Sequence, residues 1–184
     1  MFHCLSDVWL DHPDTFAGLA TIFSKCEETG TIPRGFILCG NFTSKTIVQG
    51  SSKDIQAYSG GRQMYIYWAY VHCVADNFDR LADLISSYPV VARASHFVFV
   101  PGPLDITANS ILPRRPLLSS FVGKLKQKLP KSHFMSNPCR IKCLGQEIVI
   151  FRDDIMARIL RNTLGIKNNN KDENLKQNVR TIPA

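Results

Sequence analysis

Three short polar loops hold the residues best suited to chemistry. Ser6-Asp7-Val8-Trp9 follows the apolar run Phe2–Leu5, Cys39-Gly40-Asn41-Phe42-Thr43-Ser44 closes the run Phe36–Cys39, and Pro101-Gly102-Pro103-Leu104-Asp105 closes His96–Val100. The carboxylates of Asp7 and Asp105, with the imidazoles of His3, His12 and His96, are the available ligands for a divalent cation. Metal-assisted phosphoester hydrolysis at a rearranged site is therefore the enzymatic reading these residues allow. Structural roles compete for each histidine. His96 opens its run at the end opposite the loops, His3 lies within its run, and His12 precedes Pro13 in a turn, while His133 is a late candidate before Ser136-Asn137-Pro138-Cys139-Arg140. Nucleophile chemistry has little support, because there is no G-x-S-x-G elbow and no Cys–His arrangement. Gly60-Gly61 is not followed by the Lys-Ser/Thr of a phosphate loop.

A second group of residues suits polyanions. From Ile106 to Gln146 there is no Asp or Glu, yet the stretch holds Arg114, Arg115, Lys124, Lys126, Lys128, Lys131, Arg140 and Lys142. The chain's net charge is +7, so this one stretch carries all of the excess and the remainder is close to neutral. Arg114 and Arg115, between two prolines, together with Lys124 and Lys128, are the expected contacts to DNA phosphates. The competing reading is a solvated face beside an acidic partner protein, since no aromatics alternate with these charges as a single-strand groove wants.

The elements that must position these groups follow an α/β order. Phe2–Leu5, Phe36–Cys39 and His96–Val100 read as buried strands. Leu19, Ile22, Phe23 and Cys26 lie on one helix face after an Asp11-His12-Pro13-Asp14 start and end at Gly30. Phe78, Leu81, Ala82, Ile85 and Tyr88 mark a second helix that stops before Pro89. A third is expected over Leu117–Leu129, then a hairpin of Arg140–Cys143 and Glu147–Phe151 turning at Leu144-Gly145-Gln146. The last helix runs from an Asp153 cap through Ile155, Met156, Ile159 and Leu160 to Gly165. Ser59–Ala75 fits poorly: it crowds Tyr65, Tyr67, Trp68 and Tyr70 together and reads as an atypical insertion or an extra strand. Residues 166–184, rich in Asn and Lys without aromatics, read as a disordered tail, which leaves one domain over residues 1–165.

With 45% hydrophobic and 20% charged residues in 184, the chain has ordinary globular composition and enough length for a real core. Its longest nearly uncharged run, Met64–Ala75, falls short of the roughly 20 residues a bilayer requires, so no membrane association is expected. The N-terminus carries no secretory pattern. The six cysteines form no C-x-x-C pair and are expected as free buried thiols in a reducing compartment, rather than as disulfides or zinc ligands.

The three loops resemble the first motifs of the calcineurin-like metallophosphoesterases, D-x-H, G-D-x-x-D and G-N-H-[DE], each carried after a strand. Such sites clamp a phosphoryl group between two ions about 3.5–4 Å apart. Matched position by position, Asp7 keeps the first Asp, Trp9 stands where the His falls, and Asn41 replaces the bridging Asp. Ser44 replaces the second Asp, Gly102 keeps its Gly, Pro103 and Leu104 replace Asn-His, and Asp105 keeps the last acid. The indole of Trp9 offers no lone pair to a metal. The stretches LSDVWLDHPDTFAGL, FILCGNFTS, LADLISSYP, SHFVFVPGPLD, ILPRRPL, SNPCRIKCLGQEIVIFRDD and ARILRN closely resemble the B-subunits of DNA polymerase epsilon, over nearly all of residues 2–58 and 76–164. B-subunits of the replicative polymerases carry a catalytically dead calcineurin-like domain after an OB fold.

The resemblance implies an inactive phosphoesterase sandwich, sheets flanked by helices, that lacks the family's OB fold and is incomplete at its C-terminus. It implies no metal, no cofactor and no catalysis. The expected role is a scaffold in the nucleus, holding the C-terminal zinc-binding region of the catalytic subunit of DNA polymerase epsilon during DNA replication. Other holoenzyme subunits and DNA are the further expected partners.

Overall fold

A computed structural model describes residues 1–44, 61–105 and 112–161, and for 61–71, 157, 158 and 161 it describes the backbone alone. The element order is β1 (Phe2–Leu5), α1 (Pro13–Thr29), β2 (Gly35–Cys39), α2 (Gly61–Ser86), α3 (Pro89–Ala94), β3 (His96–Val100), α4 (Ser119–Lys128), β4 (Ser132–Phe134), β5 (Cys139–Cys143), β6 (Gln146–Ile150) and α5 (Ile155–Arg161). Two compact units divide between Asp153 and Asp154, and α5 is the described element of the second. The expected tail at 166–184 and the stop at Gly165 lie outside the described residues.

In the first unit, β1 to β4 form a parallel sheet in that order, with Cys4 opposite Ile37, Phe36 opposite Phe97 and Val98 opposite His133. Parallel strands need crossovers, and the helices supply them. Strand alternation sends Phe36, Leu38, Phe97 and Phe99 to one face, where Leu19 and Phe23 of α1, Phe78, Leu81 and Ile85 of α2, and Phe121, Val122 and Leu125 of α4 cover them. Ile37, Val98 and Val100 point the other way, onto Cys139 and Ile150 of the antiparallel β5–β6 hairpin. The result is a helix layer, a parallel sheet and a β-hairpin layer.

Three expectations are corrected. Ser59–Ala75 is not an extra strand: from Gly61 it is the first half of α2, continuous to Ser86, and residues 59–60 lie outside the described residues. Val74, 5% exposed, precedes Phe78 by four residues, so the buried face of α2 runs unbroken through the junction. The helix through Phe78 does end before Pro89, as expected, and Pro89 has a second role. It opens α3, whose N–H groups at Val90 and Val91 donate to Glu27 Oε1 at 3.0 and 3.4 Å. β1 is not fully buried, because it is an edge strand with Cys4 exposed. The cysteines are all free, but Cys4 and Cys73 are exposed rather than buried. Strand β4 has no sequence signature, because Ser-His-Phe contains no apolar run. The hairpin turn is tighter than expected, with Leu144 and Gly145 at φ 51° and 81°, as a two-residue turn demands. Among the described residues no helix is long and apolar enough to cross a membrane.

Candidate functional site

The loops after β1, β2 and β3 meet at the C-terminal edge of the sheet, where parallel α/β folds build their sites. Hydrogen bonds between the loops hold them together. Leu10 N–H donates to Phe42 O at 2.8 Å, and Ser44 donates to Asp11 through its N–H at 3.0 Å and its hydroxyl at 2.5 Å. Asp105 accepts from Phe42 N–H at 2.6 Å and from Gly102 N–H at 2.7 Å, one on each oxygen. Asn41 Oδ1 accepts from Leu104 N–H at 2.8 Å, and its amide nitrogen faces Asp7 Oδ1 at 3.5 Å. Two glycines permit this closeness. A Cβ on Gly40 would sit 2.0 Å from Asp105 Oδ2, and one on Gly102 would sit 2.4 Å from Asn41 Oδ1.

Of the residues expected at this site, the fold brings Asp7, Asn41, Ser44, Gly102, Leu104 and Asp105 into one bonded cluster. Trp9, 39% exposed, and Pro103 belong to the same loops. The histidines do not join them. His3 packs edge-on against Phe36, His12 pairs with Asp14 at 3.5 Å on the surface, and His96 stacks on His133 with ring nitrogens 3.1 Å apart at the start of its strand. Among the described residues, no group of three or more His, Cys, Asp or Glu is placed to hold a metal ion.

Sequence reasoning missed Arg152. Its Nη2 donates to Asp7 Oδ1 at 2.5 Å, across 145 residues of chain, with the guanidinium 12% and the carboxylate 40% exposed. The backbone of Arg152 is clamped by Asn137, which is fully buried: Asn137 Oδ1 accepts Arg152 N–H at 3.1 Å and its Nδ2 donates to Arg152 O at 2.6 Å and to Pro101 O at 2.7 Å. Both residues sit in stretches that carry the resemblance, but no spacing marks them. The available signal is a lone cation two residues past an apolar strand that points at the loops.

The electrostatics follow from this packing. Burial pushes the Asp105 carboxyl up to about 6; the N–H donors of Gly102, Phe42 and Thr43, and then the Arg152 charge, pull it back. Burial likewise pushes the neighbouring Cys39 thiol up to about 11, so it stays protonated and is no nucleophile at neutral pH.

One of the four expected phosphate contacts is not on the surface. Arg114 is 3% exposed, and its Nη2 pairs with Asp153 at 3.1 Å with both side chains 4% exposed. Its Nη1 donates to Arg152 O at 3.3 Å, so this guanidinium is a strut inside the fold. Asp153, expected as a helix cap, supplies that pairing carboxylate. Lys124 lies 3.6 and 3.5 Å from Asp79 and Asp83 of α2, and Lys128 bonds Asp83. Their charge is offset by acids from outside the basic stretch, a pairing that linear sequence conceals. Arg115 is exposed, as expected. Residues 106–111 of the stretch lie outside the described residues.

Comparison with known proteins adds the lineage. A family model for the B subunit of DNA polymerase alpha/epsilon matches residues 2–182. The chain belongs to this DNA polymerase alpha/epsilon B-subunit family. Among its relatives, DNA polymerase epsilon subunit 2 of Homo sapiens is 39% identical over 92% of this chain, and that of Bos taurus 38% over 94%. The B subunit of DNA polymerase epsilon from Schizosaccharomyces pombe is 36% identical over 89%. The chain spans 28%, 29% and 25% of those proteins respectively, so the match involves under a third of each relative's length.

Proposed function

We propose that this chain is a non-catalytic accessory component of the DNA polymerase epsilon complex, acting in nuclear DNA replication as a scaffold that holds the catalytic subunit. The observation that carries this reading is the state of the loop cluster. The groups matched to phosphoesterase ligands spend their lone pairs inside the protein: Asp105 on two backbone amides, Asn41 on Leu104, and Asp7 on Arg152. Those donors, a guanidinium above all, oppose a cation at the same oxygens, whereas the bonded loops are fixed in place, as a docking surface requires. On this view the layers are an inactive calcineurin-like sandwich, and the docked element is the zinc-binding C-terminal region of the catalytic subunit. Family membership and relatives named as epsilon subunits support the assignment.

Co-expression with that C-terminal region tests it. The expected result is a stable co-purifying complex, with no manganese-dependent phosphodiester hydrolysis by the chain alone. A folded chain that fails to bind would reject the reading, and one that hydrolyses phosphodiesters and loses the activity in Asp7→Ala would replace it with a working phosphoesterase. DNA contact by Arg115 and Lys126 is an auxiliary property under the same proposal, with Arg114 excluded from it by burial.

A further inference from the structure

We propose that Arg152 is the resident cation of the loop cluster, neutralising Asp7 and tying the loop after β1 to the segment after β6, as a bound ion would. This rests on the reading of the site as non-catalytic and gives that reading a specific cause.

The residues do not fit a metal. Asn41 turns its donor nitrogen toward Asp7 and commits its carbonyl oxygen to Leu104 N–H, while both Asp105 oxygens accept backbone N–H bonds. What faces Asp7 is therefore a set of donors, an amide and a guanidinium, where a metal site presents lone pairs. The guanidinium arrives on a rigid base. Asn137 grips the N–H and the carbonyl of Arg152, and the buried Arg114–Asp153 pair flanks it. Its partner, Asp7, is held at φ 55°, a left-handed conformation uncommon outside glycine but open to Asp. A planar, permanently charged fork at 12% exposure is also the cation best able to serve where water is partly excluded. A fixed internal cation and an exchangeable divalent ion exclude one another by charge and by space.

The test uses the whole chain, with Arg152→Met, Arg152→Lys, Asp7→Asn and the Asp7→Asn/Arg152→Met pair. Thermal melts are run with and without millimolar Mn2+, and amide NMR signals are watched for paramagnetic broadening. In the wild type, Mn2+ should neither shift the melt nor broaden the amides of Asp7, Phe42 and Gly102. Arg152→Met should melt roughly 3–6 °C lower, and Mn2+ should restore part of that loss while broadening the Asp7 amide. Arg152→Lys should recover part of that loss, and the double variant should ignore Mn2+. If Arg152→Met does not fold, Asp7→Asn decides, since it removes the charge that the guanidinium neutralises and should also lower the melt. Wild-type broadening at Asp7, an unchanged melt in Arg152→Met or Asp7→Asn, or a loss that Mn2+ does not restore would each overturn the inference. The two readings separate cleanly. Manganese-dependent hydrolysis by the wild type sinks the non-catalytic reading, whereas an inert wild type with an unchanged Arg152→Met melt sinks only the role of Arg152.

Discussion

Arg114→Ala is the substitution on which a binding role and a structural role disagree most. Both partners of its pair are 4% exposed, so removing the guanidinium leaves the Asp153 carboxylate buried without that counter-charge. Breaking a buried pair in this way costs about 3–5 kcal/mol. The lost bond to the Arg152 carbonyl adds about 1 kcal/mol. Against a domain stability of roughly 5–15 kcal/mol, that is about a quarter or more of the total. In urea unfolding the midpoint should fall by roughly 2–3 M at an unchanged slope of about 2 kcal/mol per molar. A cycle with Asp153→Asn should show strong coupling, and Arg114→Met/Asp153→Leu should recover most of the loss, because well-packed apolar side chains replace a buried pair at little cost. A phosphate contact predicts the opposite pattern: stability hardly changed, with the logarithmic salt slope of DNA binding reduced by about 0.9. An Arg114→Ala protein within about 1 kcal/mol of wild type, but with a shallower salt slope, would refute the burial argument. Arg115→Ala supplies the matched comparison, since that side chain is exposed.

Gly40→Ala and Gly102→Ala should each cost on the order of 3 kcal/mol in the same urea assay, because the new methyl meets fixed backbone and Asp105 or Asn41 atoms at 2.0–2.8 Å. Gly18→Ala in α1, with nothing within 4 Å of its Cβ, should instead stabilise by about 0.5–1 kcal/mol. Asp105 binds its proton more tightly in the folded chain, up to about 6, than in the unfolded one. Its contribution is therefore full below about pH 4 and is lost as pH rises to about 6, a change of at most roughly 3 kcal/mol; Asp105→Asn should flatten that part of the stability–pH curve, and carboxyl NMR should titrate Asp105 near 6. Val74→Ala should lose about 2 kcal/mol, checked by thermal melting, if the buried face of α2 extends back to Val74.

The strands and their order at the site are legible because each is a short apolar run ending in polar or glycine residues. That pattern places Asp7, Asn41 and Asp105 at one sheet edge, where the fold does gather them. The features that escape the sequence share a physical cause: their local sequence is uninformative and a distant partner decides. β4 pairs with β3 although Ser132 and His133 carry no apolar signal. α3 begins where Glu27, more than sixty residues earlier, accepts its first amides. The aromatic crowding after Gly61 suggests a strand, yet the buried period from Val74 through Phe78, Leu81 and Ile85 is helical. Charge is the least legible quantity. A stretch without one acid looks like a polyanion surface, but Asp79, Asp83 and Asp153 come from elsewhere in the chain to offset three of its cations, Arg114, Lys124 and Lys128.

The bonding pattern also separates the site positions that are constrained from those free to change. The contacts joining the three loops use backbone groups and the side chains of Asp7, Asp11, Asn41, Ser44, Asp105 and Arg152. None of these bonds uses the side chain of Trp9, Pro103 or Leu104. Leu104 enters the network through its amide alone, which any residue but proline supplies. Substitution at 9, 103 and 104 can therefore alter the chemistry of the rim while the loops keep their places. Replacing Asn41, Asp105 or either close-packed glycine cannot, because those groups set the spacing of the backbone. Freedom to vary and retention of shape thus fall to different residues of the same loops, which is the physical condition for a rim to change its chemistry on a rigid surface.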